Sequence, residues 1–411
     1  VCMASPAQLS EAITYAHTAF DITKSRSKHS IIKDLLTVRS HIEKNKDKYA
    51  KVITLEAGKP IKSSIKEVER GLYTLDDAIR ECGNLKGETM RLDNSPVGDA
   101  HSAVYARFPL GVISSITPFN FPLNLVLHKL APALAAGNTV VHKPAPQTPL
   151  SSLLLGEALM DTQLPKGTVN ILPCSIETAA PMITDPRIRC LSFTGSSAVG
   201  WALKQQAYKI KTCLECGGNA AVIIHKDADV KSAAKGCAIG GYNYSGQTCI
   251  SVQRIFVHQD LHDEFISELT QHVKALKTGD PMNEDTDVGP LIDHKATERI
   301  ATWIEDAKKD GAKVHLGGNR DGGFIEPTIL LNTTPEMSVN KEEVFGPLVT
   351  ITPYTDINET FNLINDSEYG LQAGLFSQDI NLIYQAYDIL EVGGLMINQV
   401  PTWRADDMPY G

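Results

Sequence analysis

Between residues 111 and 207 the chain alternates four times between a short apolar strand pattern and a longer helix pattern. The strand patterns are Gly111–Ile116, Asn138–His142, Thr168–Leu172 and Arg189–Phe193. The helix patterns are Leu123–Ala136, Pro149–Leu164, Ile176–Thr184 and Ser197–Ala207. Repeated strand–helix units of this length predict an α/β fold with a parallel, doubly wound sheet, and such sheets commonly bind nucleotides at the carboxyl ends of their strands.

The segments on either side predict the rest of the fold. Residues 9–80 repeat apolar side chains at helical spacing, whereas Gly83–Phe108 is broken by Pro and Gly and predicts a β-hairpin excursion. A second α/β block follows from Ala220, with strands predicted at Ala220–Ile224, Arg254–His258 and Gly394–Asn398 and helices at Leu261–Leu276 and Lys295–Lys309. We therefore predict one α/β domain over residues 1–216, interrupted by the hairpin at 86–108, and a second over residues 217–411.

Composition excludes several classes of protein. The 411 residues carry a net charge of −9 without a basic stripe, which argues against binding to a nucleic-acid backbone. The longest apolar stretches, such as Leu130–Ala136, fall far short of the ~18 residues that span a bilayer. Eight cysteines are too few for a disulfide scaffold in a chain of this length, so we expect a reducing, cytoplasmic compartment.

Both ends of the sequence are abrupt. Val1 already lies within a helix-like pattern, and the sequence stops at Met408-Pro409-Tyr410-Gly411 without a closing helix or strand. We therefore expect further residues ahead of Val1.

Six short motifs follow one another along the chain. Each contains residue types that are typical of catalytic or ligand-binding sites, or of close backbone approach. They are Pro118-Phe119-Asn120-Phe121-Pro122, His142-Lys143-Pro144-Ala145, Phe193-Thr194-Gly195-Ser196 with Gly200, Leu214-Glu215-Cys216-Gly217-Gly218-Asn219, Gly246-Gln247-Thr248-Cys249-Ile250-Ser251, and Lys341-Glu342-Glu343-Val344-Phe345-Gly346-Pro347. In this order and spacing they resemble the NAD(P)-dependent aldehyde dehydrogenase superfamily over essentially the whole chain.

The resemblance implies a covalent mechanism. A Cys249 thiolate would attack an aldehyde carbonyl, and hydride loss from the resulting thiohemiacetal to a nicotinamide would leave a thioester. The side-chain amide of Asn120 and the backbone N–H of Cys249 would hold the oxyanion. Glu215 would act as the general base that activates water to release the acid.

The resemblance also implies a set of cofactor contacts. Gly195 and Gly200 bracket a strand-to-helix turn with Ser196 near the helix start, where a pyrophosphate can bind. Lys143 would bond the adenosine ribose, while Glu343 would hold the nicotinamide ribose with Phe345 packed nearby. The remaining predicted contacts are Thr117, Pro118 and Phe119. Three residues after Lys143, many NAD-preferring members carry a Glu that repels a 2′-phosphate, but Pro146 stands there, so we expect either NAD or NADP.

Several residues also allow a purely structural interpretation. Asn120 is compatible with a plain turn residue, Glu215 with a solvated or salt-bridged carboxylate, and Phe345 with ordinary core. Cys213 and Cys216 form a Cys-x-x-Cys, but no second pair exists at zinc-ligand spacing, so no metal is predicted. Cys216 stands where the family usually has Leu.

The segment Asn398–Arg404 resembles the substrate-mouth loop of lactaldehyde- and succinate-semialdehyde-type members. Arg404 offers a fork of donors suited to a carboxylate, although it is equally compatible with a surface ion pair to Asp406 or Asp407. Thr248 stands where relatives acting on phosphorylated aldehydes often have Arg. We therefore predict a short aliphatic aldehyde, hydroxylated or carrying one carboxylate.

Three alternatives stay open. The first is a CoA-acylating semialdehyde dehydrogenase, although members of that branch generally lack the Glu present at Glu215. The second is a non-phosphorylating glyceraldehyde-3-phosphate dehydrogenase, and the third is a non-catalytic structural relative. The resemblance further implies a homodimer or homotetramer in which the 86–108 hairpin pairs with a C-terminal strand that this sequence lacks, which would leave a sheet edge open.

Overall fold

The computed structural model describes residues 1–411 and shows two compact units. Unit 1 comprises Val1–Val52 and Lys66–Leu214, and unit 2 comprises Ile53–Ile65 and Glu215–Gly411. None of the helices is both long enough and apolar enough to cross a membrane. The α/β fold class predicted from the sequence is confirmed.

The chain begins with the predicted run of helices. These are α1 (Pro6–Thr23), α2 (Lys28–Lys44), α3 (Lys46–Ala57) and α4 (Ile61–Asn84). Helix α1 starts at a capping box, in which the Ser5 hydroxyl accepts from the Gln8 N–H and the Gln8 side chain accepts from the Ser5 N–H. The antiparallel hairpin of β1 (Glu88–Arg91) and β2 (Ser102–Tyr105) then follows, as predicted for this region.

A five-stranded sheet forms the centre of unit 1. Its elements are β3 (Val112–Ile116), α5 (Asn124–Ala135), β4 (Thr139–Lys143), α6 (Pro149–Met160), β5 (Val169–Ile171), α7 (Pro181–Thr184), β6 (Ile188–Thr194), α8 (Ser197–Gln206) and β7 (Lys211–Glu215). The strand order is β5-β4-β3-β6-β7, with parallel pairing of β3 to β4 and β6 and of β4 to β5. The order reverses direction at β3, so the sheet is doubly wound as predicted.

Two of the predicted helices are shorter than expected. The helix predicted over Ile176–Thr184 is only α7, because Ser175–Ala180 forms turns in which the Ser175 hydroxyl accepts from the Thr178 N–H. Helix α6 ends at Met160 rather than at Leu164, and the Gln163 N–H instead donates to the buried carboxylate of Asp34. In both places a side-chain oxygen accepts from a backbone N–H that the apolar pattern alone would have continued as helix. The acceptor is three residues away at Ser175 and in a distant part of the chain at Asp34.

The sequence prediction places residues 53–65 in the first domain, but their contacts belong to unit 2. A Cβ added to Gly58 would lie 2.9 Å from the Pro290 ring, and the Lys59 ammonium lies 4.4 Å from the centre of the Tyr244 ring. Lys62 pairs with Asp287. These long-range contacts have no local sequence signature, so a division at one point of the chain misses them.

Unit 2 is built on a seven-stranded sheet. Its elements are β8 (Ala221–Ile224), α9 (Val230–Tyr242), β9 (Arg254–His258), α10 (His262–Lys274), α11 (His294–Lys309), β10 (Lys313–Leu316), β11 (Arg320–Asp321), β12 (Phe324–Ile325), β13 (Thr328–Leu331), α12 (Ser338–Lys341), β14 (Leu348–Tyr354), α13 (Ile357–Asn365), β15 (Gln372–Phe376), α14 (Ile380–Ile389) and β16 (Gly394–Ile397). The strand order is β10-β13-β14-β9-β8-β15-β16. All neighbours pair in parallel except the edge strand β10, while β11 and β12 form a separate hairpin.

Strands β8, β9 and β14 are neighbours near the middle of this sheet, and each is buried over most of its length. Their parallel direction brings the loops that precede them to one edge, the amino edge. Three of the sequence motifs are those loops. The sheet therefore places these motifs side by side.

Candidate functional site

Two glycines of the Leu214–Asn219 motif allow the loops at the amino edge of the unit 2 sheet to touch. A Cβ on Gly217 would collide with the Glu343 carboxylate, and one on Gly218 would lie 2.5 Å from the Cys249 carbonyl oxygen. The Gly218 N–H also donates to Glu343 Oε1 at 3.1 Å. The glycine pair is thus required for close approach, and it brings Glu343 and Cys249 to the same place.

Glu343 is held from both its backbone and its side chain. Arg299 donates to the Glu343 carbonyl at 3.3 Å and to the Val344 carbonyl at 2.8 Å. Burial raises the pKa of the Glu343 carboxyl to about 7, while the Gly218 N–H and the Arg299 charge act in the opposite direction. Arg299 lies on α11 far from any motif, so nothing in the sequence indicated its role.

Cys249 follows a tight turn with unusual backbone angles. Tyr244, Ser245 and Gly246 have φ values of 50°, 55° and 68°. A Cβ at Gly246 would collide with the Gly346 carbonyl, so this turn packs backbone to backbone against the Glu343–Pro347 loop. The result is a half-buried Cys249 side chain at the meeting point of the three loops.

The Cys249 thiol has a pKa raised to about 11. Burial is the main cause, and the charges of Glu343 and Glu215 add to it. A hydrogen bond with Tyr410 and the backbone N–H of Cys249 itself act in the opposite direction. At neutral pH the resting side chain is therefore mostly a thiol, and its ionisation depends on Glu343, Glu215 and Tyr410.

Tyr410 also contacts Cys249, although no motif predicted it. Its Oη lies 3.0 Å from the Cys249 Sγ, and the guanidinium carbon of Arg404 lies 4.1 Å from the centre of its ring. A Cβ on Gly411 would lie 3.0 Å from Glu215 Oε1, so the segment Met408–Gly411 lies against both Cys249 and Glu215. The available signal was a Pro-Tyr-Gly close to the predicted mouth loop.

Arg404 makes one of the two ion pairs that the sequence allowed, but not on the surface. Its Nε lies 3.7 Å from Asp406 Oδ1, and the two side chains are only 12% and 10% exposed. The guanidinium is thus enclosed, and it stacks on the tyrosine that contacts Cys249.

Asn219, the last residue of the glutamate motif, has a structural role. It receives donors from the buried Arg254, whose Nε donates to the Asn219 carbonyl and whose Nη2 donates to its side-chain oxygen. The Asn219 amide donates to the Asn340 carbonyl. This network ties the loop before β8 to the start of β9 and to the segment before β14, which fixes the three motif loops relative to one another.

In unit 1 the predicted cofactor residues lie at the opposite kind of edge, the carboxyl edge. Ile116 of β3 pairs with Lys143 of β4 and with Phe193 of β6. Thr117–Asn120, Lys143 and Gly195–Ser196 therefore leave three neighbouring strands together, where the strand order reverses. The Thr117 N–H donates to the Lys143 carbonyl at 3.3 Å.

The start of helix α8 has the form of an anion site. Ser196 is the N-cap residue, it is exposed, and its side chain makes no capping bond, while Gly200 is buried on the first turn. The ten-residue helix leaves its first N–H groups directed at the carboxyl edge. These features suit a negatively charged group bound at the start of α8.

Lys143 and its neighbours are deeply buried. Burial lowers the pKa of the Lys143 ammonium, and it lowers that of His142 to about 3. His142 is hydrogen-bonded on both ring nitrogens, to Ser115 at 2.9 Å and to Ser152 at 3.3 Å, so it is a neutral structural residue. Pro146 is exposed beyond them.

The remaining predicted residues take less distinctive positions. Asn120 is buried just ahead of α5, whose first N–H groups at Leu123 and Asn124 donate to the buried Glu67 carboxylate. Thr248 and Phe345 are half-buried in the cysteine and Glu343 loops, and Phe345 has a φ of 50°. No disulfide joins the eight cysteines, and no three His, Cys, Asp or Glu side chains group in a way that could hold a metal ion.

A family model and a curated relative both identify the chain as similar to aldehyde dehydrogenases. A family model described as the aldehyde dehydrogenase family matches residues 1–411. The chain is 43% identical to 3-sulfolactaldehyde dehydrogenase from Priestia aryabhattai over 366 residues, which cover 89% of this chain and 77% of that protein.

Two solved structures superpose closely on the chain. The crystal structure of aldehyde dehydrogenase 21 from Physcomitrella patens in complex with the reaction product succinate matches with a TM-score of 0.97 and 39% identity, covering 100% of this chain and 85% of that one. Glyceraldehyde-3-phosphate dehydrogenase from Methanocaldococcus jannaschii complexed with NADP matches with a TM-score of 0.93 and 34% identity, covering 100% and 90%.

Proposed function

Because the chain belongs to the aldehyde dehydrogenase family, we propose that it oxidises a short aldehyde to the carboxylic acid with NAD+ or NADP+, through a thioester on Cys249. The observation that carries the proposal is the convergence of three loops in unit 2, which places the Cys249 thiol among Glu343, Glu215 and Tyr410. An isolated cysteine would not support this function, since most buried cysteines are structural.

Cys249 is the proposed nucleophile. Its Sγ adds to the aldehyde carbon, and the carbonyl oxygen becomes an oxyanion that needs donors already in place. The backbone N–H of Cys249 is one proposed donor, and the side-chain amide of Asn120 is the other. Each donor of this kind contributes roughly 3–4 kcal/mol to lowering the barrier.

Glu215 is the proposed general base for release of the acid. It is half-buried and close enough to raise the pKa of Cys249 by its charge. A water molecule that gives its proton to Glu215 would attack the thioester carbon, and the Cys249 sulfur would leave. The presence of this carboxylate favours hydrolysis over transfer of the acyl group to CoA.

The proposed cofactor residues are Lys143, Ser196 and α8 in unit 1 and Glu343 with Phe345 in unit 2. A bound nicotinamide supplies the acceptor for the hydride that leaves the aldehyde carbon. Glu343 would accept a hydrogen bond from a ribose hydroxyl. Its position is defined by Gly218 and Arg299 before any ligand binds.

We expect the enzyme to use NAD and NADP without strong discrimination. Pro146 replaces the carboxylate that would repel a 2′-phosphate, and no arginine near it favours one. Comparing kcat/KM for the two cofactors at saturating aldehyde tests this. A ratio beyond about a thousandfold, which corresponds to about 4 kcal/mol, would show that another group discriminates between them.

The proposed substrate is a short aliphatic aldehyde with a hydroxyl or one anionic group at its far end. Support comes from the enclosed Arg404 guanidinium beside the Tyr410 ring, and from the sulfolactaldehyde, succinate and glyceraldehyde-3-phosphate named for the three relatives. Thr248, directly before the nucleophile, offers a hydroxyl rather than a charge, which favours one negative charge over a phosphate's two.

Replacing Arg404 with alanine is expected to raise KM for succinate semialdehyde about tenfold or more and to leave KM for propionaldehyde nearly unchanged. A charge-assisted bond to a carboxylate contributes roughly 1.5–3 kcal/mol, and propionaldehyde has no carboxylate to lose it. The measurement is steady-state kinetics with a panel of short aldehydes. An equal rise in KM for both substrates would contradict the proposed role of Arg404. A panel in which benzaldehyde is the best substrate would contradict the proposed preference for short aliphatic aldehydes.

Two related activities are distinguished by the same panel, extended to glyceraldehyde 3-phosphate and assayed with and without CoA. A CoA-acylating enzyme would need CoA for turnover, and a non-phosphorylating glyceraldehyde-3-phosphate dehydrogenase would prefer that phosphorylated aldehyde over succinate semialdehyde. A non-catalytic relative would show no turnover with any of them. The M. jannaschii structure favours the glyceraldehyde-3-phosphate alternative as the second candidate.

We further propose a homodimer or homotetramer in a reducing cytoplasm. The hairpin of β1 and β2 is almost entirely exposed, and it carries large apolar side chains at Met90, Val104 and Tyr105, with Phe108 just beyond it. An exposed two-stranded hairpin with this composition is typical of a surface that pairs with another chain.

A further inference from the structure

We propose that the Tyr410 phenol acts as a positioning residue for the nucleophile, donating a hydrogen bond to the Cys249 thiolate while the Arg404 guanidinium holds its ring in place. This inference rests on the proposed function of Cys249 and adds a residue that neither the motifs nor the comparisons assign. It makes the reactivity of the thiol depend on the segment after the mouth loop.

The geometry supports a specific contact. The Tyr410 Oη lies 3.0 Å from the Cys249 Sγ, which is within hydrogen-bond reach for sulfur, and both side chains are half-buried. A phenol is a much stronger donor than a thiol, and a thiolate is a much better acceptor than a neutral sulfur. The pair is therefore strongest when Cys249 is ionised and Tyr410 keeps its proton.

The charges around Cys249 oppose its ionisation, and the Tyr410 donor acts against them. Glu343 and Glu215 lie close enough to the sulfur for their negative charges to oppose formation of a thiolate. Among the neighbouring side chains that affect the thiol, Tyr410 favours the ionised form. When the thiol ionises, its proton passes to solvent and the phenol remains neutral, because burial and the nearby Cys249 and Glu215 raise the pKa of Tyr410 far above the working range.

Arg404 acts on the face of the same ring. Its guanidinium carbon stacks 4.1 Å from the ring centre, and Asp406 pairs with its Nε. A cation over the ring draws electron density from the phenol and lowers the pKa of Tyr410, which makes its hydroxyl a better donor. The stack also restricts rotation of the Tyr410 ring.

The test compares two variants with opposite expected effects on alkylation of Cys249 by iodoacetamide in the free enzyme. In Tyr410→Phe the loss of the donor raises the pKa of Cys249, by about one unit for a charge-assisted bond. Alkylation between pH 7 and 9 should slow about threefold, because about tenfold less thiolate is partly offset by its greater intrinsic reactivity.

Placing 3-fluorotyrosine at position 410 should speed alkylation over the same pH range, since the ring fluorine makes the phenol a stronger donor and leaves its shape nearly unchanged. Tyr354→Phe is the matched control. It removes a buried hydroxyl that bonds His225 at 2.8 Å on another part of unit 2, and it should leave the Cys249 profile unchanged.

A purely steric role predicts the reverse pattern, with alkylation equal or faster in Tyr410→Phe and equal or slower with the fluorinated ring. Either result would overturn the proposal. Peptide mapping assigns the alkylation rate to Cys249 itself and does not depend on turnover. A separate outcome, in which fully alkylated Cys249 still supports aldehyde oxidation, would instead refute the proposed function.

Discussion

Replacing Cys249 with alanine is expected to abolish aldehyde oxidation, with a loss in kcat of roughly 10⁴-fold or more, since removing a covalent nucleophile costs up to about 10⁶-fold in well-studied enzymes. Without the sulfur no thiohemiacetal can form, and the aldehyde carbon has no means of expelling hydride. The measurement is steady-state formation of reduced cofactor with the best aldehyde of the panel. Iodoacetamide should inactivate the native enzyme in parallel, with protection by aldehyde or cofactor.

Cys213→Ala is the matched control for this variant. Cys213 is an exposed cysteine two residues before Glu215, and its removal should leave turnover unchanged. Full dehydrogenase turnover in Cys249→Ala would falsify the assignment. Equal losses in both variants would point to a general effect of cysteine replacement on the fold rather than to a nucleophile.

Replacing Glu215 with glutamine is expected to lower steady-state turnover by about 10²- to 10⁴-fold, the range for loss of a general base. A pre-steady-state burst of reduced cofactor should survive, because the glutamine leaves the addition to Cys249 and the loss of hydride intact. Turnover would then stop at the thioester. Stopped-flow absorbance of the reduced cofactor resolves the two phases.

Glu342→Gln provides the comparison for Glu215→Gln, because Glu342 is an exposed carboxylate next to Glu343 and should show neither effect. If Glu215→Gln loses the burst and retains normal deacylation, Glu215 acts in thiolate formation or hydride transfer instead. The charge of Glu215 also raises the pKa of Cys249, so the amide should make the thiol somewhat easier to ionise.

The fold was largely predictable because its signals are local. The alternation between residues 111 and 207 predicts the parallel sheet of unit 1, and the punctuation by Pro and Gly predicts the hairpin of β1 and β2. The failures arise from contacts that the apolar periodicity does not reveal. The segment 53–65 belongs to unit 2 through Lys59, Lys62 and Gly58, and α7 is short because Ser175 satisfies the backbone ahead of it.

The candidate site residues that lie in motifs could be predicted from the sequence. Those that reach the site through long-range packing could not. The proposed roles of Cys249, Glu215 and Glu343 come from their motifs, whereas Arg299 contacts Glu343 and Tyr410 contacts Cys249 from distant parts of the chain. The edge of the sheet at which the motif residues lie also differs between the two units. In unit 1 the predicted residues lie at the carboxyl edge expected for a doubly wound sheet, but in unit 2 the motif loops precede their strands and meet at the amino edge, because Gly217, Gly218 and Gly246 allow that packing.

The most direct test of the proposed chemistry is to trap the acyl-enzyme. Glu215→Gln is mixed with aldehyde and oxidised cofactor, quenched in acid, and digested for mass spectrometry. We predict that the peptide bearing Cys249 gains the mass of the acyl group from the aldehyde, only when cofactor is present, and that Cys249→Ala gains none. An acyl group on another residue, or reduced cofactor formed in the burst without acylation of Cys249, would contradict a thioester mechanism at this site.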